Sequence, residues 1–130
     1  MPRIDHFPKC LALIVCQKTD LDPQTGQWSI IGTFAGMTLE KYPAMYPEFH
    51  VYYALAKSDN IQDVIHLDVI APDGKPTSQN LTVVKWDHDA EGVEQGVAFR
   101  EVIFRTVGKY IVRLTAEGGH ILAERSITMD

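Results

Sequence analysis

Residues 108–128, GKYIVRLTAEGGHILAERSIT, decide the fold. Two strand-length runs flank a Glu117-Gly118-Gly119-His120 turn. Tyr110, Val112 and Leu114 fall on one face, and Arg113, Thr115 and Glu117 on the other. That is the period-two pattern of a half-buried strand. Two successive glycines can take the positive φ that a tight hairpin turn demands. In the second run Arg125 shares the phase of Ile121, Ala123 and Ile127. The last strand is therefore expected at a sheet edge, with that side chain near solvent and room for another chain to add.

The same reading extends toward the N-terminus. Residues 10–18 form the first expected strand, apolar in both phases, so covered on both faces or central. Residues 27–36 form the second, with Trp28, Ile30 and Phe34 inward and Gly32 marking a bulge or a close backbone approach. The third, 49–57, turns Phe49, Val51, Tyr53 and Leu55 inward and His50 and Tyr52 outward. The fourth, 63–71, turns Ile65, Leu67 and Val69 inward and His66 and Asp68 outward. Residues 81–86 and 97–105 supply the fifth and sixth. A bulge near Arg100 and Glu101 reconciles the two apolar phases of the sixth.

Between these runs lie turn formers: 19–26, 58–62, Pro72-Asp73-Gly74-Lys75-Pro76 and an acidic loop at 87–96. Residues 37–47 break the pattern, since Pro43 and Pro47 are expected outside any central strand. That segment is expected to cross between sheets. No twelve-residue stretch carries a 3.6-residue apolar period. The expectation is an all-β chain, an antiparallel β-sandwich of about eight strands in one domain spanning 1–130, with 1–9 as an extended leader.

The chain of 130 residues is 45% hydrophobic and 22% charged, which suits a packed domain rather than a disordered one. With 17 acidic and 12 basic residues the net charge is -5, and no basic run occurs. That argues against nucleic acid and anionic membrane as partners. No apolar run approaches a bilayer span, and no secretory signal precedes the first strand, so a cytoplasmic location is expected. Cys10 and Cys16 would lie roughly 20 Å apart on one strand, whereas a disulfide needs Cα atoms within about 7 Å. They read as reduced thiols of a reducing compartment.

Thr106-Val107-Gly108-Lys109-Tyr110-Ile111-Val112 resembles the start of the penultimate strand of an immunoglobulin-like domain or related Greek key. The resemblance implies that the Tyr110 hydroxyl bonds back to upstream backbone. The inter-sheet cysteine pair of such domains is missing. More broadly, the chain is similar to a set of small uncharacterised bacterial β-sandwich proteins of about this length. The carrying stretches are ALIVC from Ala12, TGQWSIIGTF from Thr25, YPEFHVY from Tyr46 and the Gly108-Lys109-Tyr110 start of the hairpin. That resemblance implies no activity.

Several candidate sites follow from the residues. Asp87-His88-Asp89-Ala90-Glu91-Gly92 matches the opening of a calcium loop, with oxygen ligands in Asp87, Asp89 and Glu91. The twelfth position is Ala98, where a bidentate glutamate is needed, so a solvated connector is the simpler reading. His66 and Asp68 share a strand face, and His50 of the preceding strand could join them as a metal-binding set. The competing reading is an outward polar face. The aromatic crossover offers Tyr42, Met45, Tyr46 and Phe49 as a partner-binding surface, or as a cap on the core. No serine sits in a nucleophile elbow and no Gly-rich phosphate cradle occurs. The hairpin's outward face, Arg113, Thr115 and Glu117, reads as solvated.

The leading expectation is a non-enzymatic binding or assembly module of a bacterial cytoplasm. It would act through a protein partner or self-association, with no cofactor. The alternative is a small-ligand or metal-binding sandwich, and an enzyme assembled from distant strands ranks third. Fold alone cannot choose among them.

Overall fold

The computed structural model describes residues 7–87 and 89–130. The expected leader lies largely outside the described residues. Among the described residues nine strands run in order: β1 (Lys9–Leu21), β2 (Trp28–Thr33), β3 (Gly36–Met37), β4 (Ala44–Ala56), β5 (Gln62–Ile70), β6 (Pro76–Lys85), β7 (Gly92–Phe104), β8 (Gly108–Ala116) and β9 (His120–Met129). They form a four-stranded sheet, β2-β1-β4-β7, and a five-stranded sheet, β3-β9-β8-β5-β6. Every pairing is antiparallel except β3 with β9, which is parallel.

The core lies between the sheets. Leu13, Val15, Phe49, Val51, Tyr53 and Leu55 enter from the four-stranded side. Ile65, Leu67, Val69, Val112, Leu114 and Ile127 meet them from the five-stranded side. The alternation read from the sequence places those of β4, β5 and β8 correctly, and β1 lies inside its sheet between β2 and β4. The hairpin forms as expected, with Gly118 at φ 84° and Gly119 at φ 82° in its turn. The Tyr110 hydroxyl donates to the Thr106 carbonyl at 2.9 Å and accepts from the Thr106 N–H at 3.4 Å. This is the tyrosine corner of an immunoglobulin-like sandwich.

The bulge expected near Arg100 is present. Glu101 has φ 53°, and the buried phase of β7 switches from Val97 and Phe99 to Val102 and Phe104 across it. The same point overturns the expectation for Pro47, which sits inside β4 between β1 and β7. The β4–β7 ladder pairs Glu48 with Arg100 and Tyr46 with Val102 but omits Pro47 and Glu101. The missing N–H of Pro47 therefore coincides with a break in pairing, and β1 has already ended its pairing at His50. The acidic loop is shorter than expected, because β7 starts at Gly92 opposite Ala56. A Cβ at Gly92 would lie 2.5 Å from the Leu55 carbonyl oxygen, so that position admits only glycine.

Gly32, at φ 69°, faces Gln17 so closely that a Cβ would sit 2.9 Å from the Gln17 Cγ, as the close approach predicted. Trp28, however, is not in the core. Its ring lies over Gly96 on the outer side of the four-stranded sheet, edge-on to Tyr52 at 6.3 Å. Ile30 also stays outside the core cluster, and only Phe34 of that expected trio packs against it. In β9 the register slips between Leu114–Ala123 and Thr115–Ile121. Ile121 consequently leaves the phase of Ala123 and Ile127.

β9 meets β3 only at Thr128 and Met129, so most of it is an edge. Arg125 is exposed, and its Nε donates to the Leu13 carbonyl of the opposite sheet at 2.9 Å. On the other open side, Thr77 Oγ1 donates to the Ile103 carbonyl at 2.6 Å. Each open flank is thus bridged by a side chain that caps a strand carbonyl. Among the described residues, no helix is long and apolar enough to cross a membrane.

Candidate functional site

Proline and aromatic spacing brought Tyr42, Met45, Tyr46 and Phe49 forward as a contact surface. The folded chain separates them. Phe49 is fully buried, ringed by Phe34, Tyr46 and Phe99, so its place on that surface is corrected. Tyr42 and Tyr46 are half-buried. Their hydroxyls donate to the Asp130 carbonyl at 2.8 Å and to Gln17 Oε1 at 3.0 Å. Met45 alone turns outward, 55% exposed beside Ile103 on β7.

The proposed metal sets come apart for topological reasons. β4 and β5 belong to different sheets. His50 and the pair His66 and Asp68 each point outward from their own sheet, so they lie on opposite faces of the sandwich. Neighbours in sequence are not neighbours in a sheet when the connection crosses the core. Asp87, Asp89 and Glu91 are exposed, and His88 lies outside the described residues. Lys57 ties this loop to the end of β4, its N–H reaching the Glu91 carbonyl at 2.9 Å and its Nζ the Asp87 carbonyl at 3.2 Å. Ala98, the twelfth position, is paired with His50 inside β7. Among the described residues, no group of three or more His, Cys, Asp or Glu side chains is placed to hold one ion.

His50 instead anchors a hydrogen-bonded line on the outer face of the four-stranded sheet. Its Nδ1 accepts from the Thr19 N–H at 3.2 Å, which assigns the ring proton to Nε2. The Thr19 hydroxyl reaches the same Nδ1 at 2.8 Å. Nε2–H donates to Glu48 Oε2 at 2.9 Å, and Glu48 Oε1 accepts from Arg100 Nε at 2.8 Å. A hydroxyl, an imidazole and a carboxylate in line could activate a nucleophile. Here Thr19 is only 9% exposed, and its own amide shares the ring nitrogen that would act as base. The line acts as a clamp that holds the far end of β1 onto β4.

Trp28 covers the clamp from above. A Cβ at Gly96 would lie 2.6 Å from the Trp28 ring and 2.4 Å from Thr19 Oγ1, so glycine there makes the cover possible. Beside it the Tyr52 hydroxyl donates to Glu94. Burial, reinforced by Glu94, pushes the Tyr52 phenol up to about 12. Cys16, fully buried, and half-buried Cys10 are both free thiols, pushed up by burial.

The opposite outer face, on the five-stranded sheet, has a different character. Strand pairing lines up Ile121, Thr115, His66 and Leu81 in one row. The next row is Glu124, Arg113, Asp68 and Gln79, and the one after it Ser126, Ile111 and Ile70. Leu81 is 57% exposed, Ile121 49% and Val83 46%. Arg113 is paired with Glu124. Its other neighbour, Asp68, has a buried Oδ1 with no hydrogen-bond partner among the described residues. Burial pushes that carboxyl up, against the opposing pull of His66 and Arg113.

A family model, described as a family of unknown function, matches residues 11–128. The chain belongs to this family, DUF6941. None of the curated proteins matches it. Among solved structures, an immunoglobulin-like protein from Pseudomonas aeruginosa is similar, with a TM-score of 0.48 and 15% identity over 95% of this chain and 97% of that one. A glycosyl hydrolase family 2 member from Bacteroides cellulosilyticus is also similar, with a TM-score of 0.48 and 15% identity over 67% of this chain. The DUF6941 chain covers 14% of that hydrolase. Strand order, the parallel β3–β9 pair and the Tyr110 corner define the immunoglobulin-like fold of this DUF6941 member.

The clamp of the DUF6941 chain escapes sequence reading because Thr19 and His50 are 31 residues apart and Thr19 reads as a turn former. It leaves a pH signature. Hydrogen bonds from His50 first, and then from Arg100, hold the Glu48 carboxyl below its ordinary value. A carboxyl depressed by folding contributes stability at pH values above its unfolded pKa, and that contribution is lost as pH falls through the folded value. Glu48→Gln is therefore expected to lower the thermal midpoint at neutral pH and to flatten its fall in acid. Melting curves collected from neutral to acid pH check this. Parallel profiles for the two proteins would contradict it.

Proposed function

We propose that this chain is a non-enzymatic binding or assembly module of a bacterial cytoplasm that works through protein–protein contacts. The observation that carries the reading is the outer face of the five-stranded sheet. An antiparallel sheet with one face in water ordinarily alternates apolar inside with polar outside. Here the outward phase contains Leu81, Val83 and Ile121, each close to half exposed or more, with Val64, Ile70 and Ile111 half-buried around them. Exposed apolar side chains gathered on one face of a small domain mark an interaction site more often than isolated exposed residues do.

Apolar side chains spread over a sheet face suit a protein partner better than a small molecule, which ordinarily takes a concave site. A photo-crosslinking residue placed at Leu81 or Val83 in the cell of origin tests the proposal. It should give an adduct whose second component mass spectrometry identifies, either another protein or this chain itself. The same residue at Asp20, exposed on the other sheet, should not. Absence of any specific adduct from both Leu81 and Val83 would overturn the reading.

A further inference from the structure

We propose that the partner on this face is a second copy of the chain, packed sheet against sheet about a two-fold axis that runs along the strands between β5 and β8. The proposal rests on the contact-module reading above and names its partner. An isologous contact must match its own surface under rotation. A two-fold along the strands keeps each cross-strand row in register and reverses its order. β8 then lies over β5 of the partner subunit, and β9 over β6.

Under that operation the rows match themselves. Arg113 comes over Asp68 of the partner subunit, and the reciprocal contact forms at the same time. Ile111 meets Ile70 of the partner subunit, and Ile121 meets Leu81 of the partner subunit. A two-fold axis across the strands through the charged row would instead set Arg113 over Arg113 of the partner subunit and Asp68 over Asp68 of the partner subunit, like charge against like. The charge pairing also sets opposite charges against each other across the contact. Asp68 is half-buried, with Arg113 directly across from it on β8. Arg113 Nε is occupied by Glu124, and a guanidinium has further N–H donors on its terminal nitrogens. A second copy presents those donors to the accessible side of the half-buried Asp68 carboxylate. Elsewhere the face is supported by the sandwich core and needs no rearrangement to pack at the spacing of about 10 Å usual for stacked sheets.

The face comprises four strands about 4.8 Å apart, each some six residues long at about 3.3 Å per residue, or roughly 400 Å² in projection. That is small for an obligate dimer, so a dimer dissociating in the micromolar range is expected. Sedimentation equilibrium of the purified chain should show a mass rising from 14.6 kDa toward twice that value with concentration. Asp68→Arg, which sets arginine against arginine, should weaken the dimer by at least about tenfold. Circular dichroism and thermal melting confirm that this variant is folded.

Cysteine pairing tests the geometry without changing charge. In a Cys10→Ser background, a chain carrying Ile111→Cys mixed with one carrying Ile70→Cys should oxidise mainly to the mixed dimer. Three results would overturn the proposal: a monomer throughout, a dimer indifferent to Asp68→Arg, or a dominant 111-to-111 disulfide. If Leu81 crosslinks to a different protein while the purified chain stays monomeric, the contact-module reading stands and this inference fails.

Discussion

Phe49→Ala is expected to destabilise the chain by about 3–5 kcal/mol. Phe49 is fully buried at the centre of the four-stranded sheet. Its ring packs against Phe99 at 5.6 Å, Phe34 at 6.0 Å and Tyr46 at 6.4 Å. Those neighbours are held by three different strands or segments, so they cannot close together over the space the ring leaves. The loss combines burial of a large aromatic side chain with the cavity left behind.

Urea unfolding followed by fluorescence measures this change. A loss below about 1 kcal/mol would mean that the core collapses around the site, contrary to the packing described. Met45→Ala provides the contrast. That side chain is 55% exposed, and its loss should stay within about 0.5 kcal/mol. The pair matters for function, because Phe49→Ala would weaken any binding through loss of folded domain rather than loss of a contact. Partner contacts are better tested through Leu81 and Asp68.

Tyr110→Phe is expected to cost about 1–3 kcal/mol while leaving the shape of the core intact. Tyr110 is 1% exposed, and its ring stands edge-on to Phe104 at 4.9 Å. Phenylalanine keeps that contact and removes only the hydroxyl. The hydroxyl is both acceptor and donor for the backbone of Thr106, so its loss strands two polar groups at a corner where the chain turns from β7 into β8. Gly108, at φ 134° against Pro72, fixes the other side of the same corner. Tyr42→Phe removes a hydroxyl that bonds the Asp130 carbonyl near solvent, so water replaces it at much smaller loss. Equal losses for the two variants, measured by denaturant unfolding with unchanged slopes, would remove the special role of the corner.

Much of the sandwich could be read from local pattern. Alternation placed the inward residues of β4, β5 and β8, turn chemistry placed Gly118 and Gly119, and conflicting phases in β7 placed the bulge at Glu101. These features depend on φ/ψ preference and on which face of a strand a side chain takes, both settled within a few residues. Pro47 shows the limit of that reasoning. Its missing N–H forbids a regular central ladder, but a break in pairing shared with Glu101 accommodates it, and that break belongs to two strands 54 residues apart in register only after they meet. Trp28 shows the same limit: its alternation pointed inward, yet its ring lies over Gly96 on the outer side of the sheet.

The sequence alone determined the all-β class, the tyrosine corner and the separation of apolar from polar phases along most strands. Only the tertiary structure decided which outward residues share a surface. His50 and His66 carry the same outward phase on successive expected strands, yet the chain crosses between sheets and sets them on opposite sides of the sandwich. Leu81, His66, Arg113, Ile111 and Ile121 are scattered over four strands, and the hairpin's outward face read by itself as solvated. Strand order and register gather them into one apolar face crossed by a charged row. Side-chain phase is a local property of the backbone, whereas adjacency across a sheet is set by long-range pairing, and the candidate contact surface is made of adjacency.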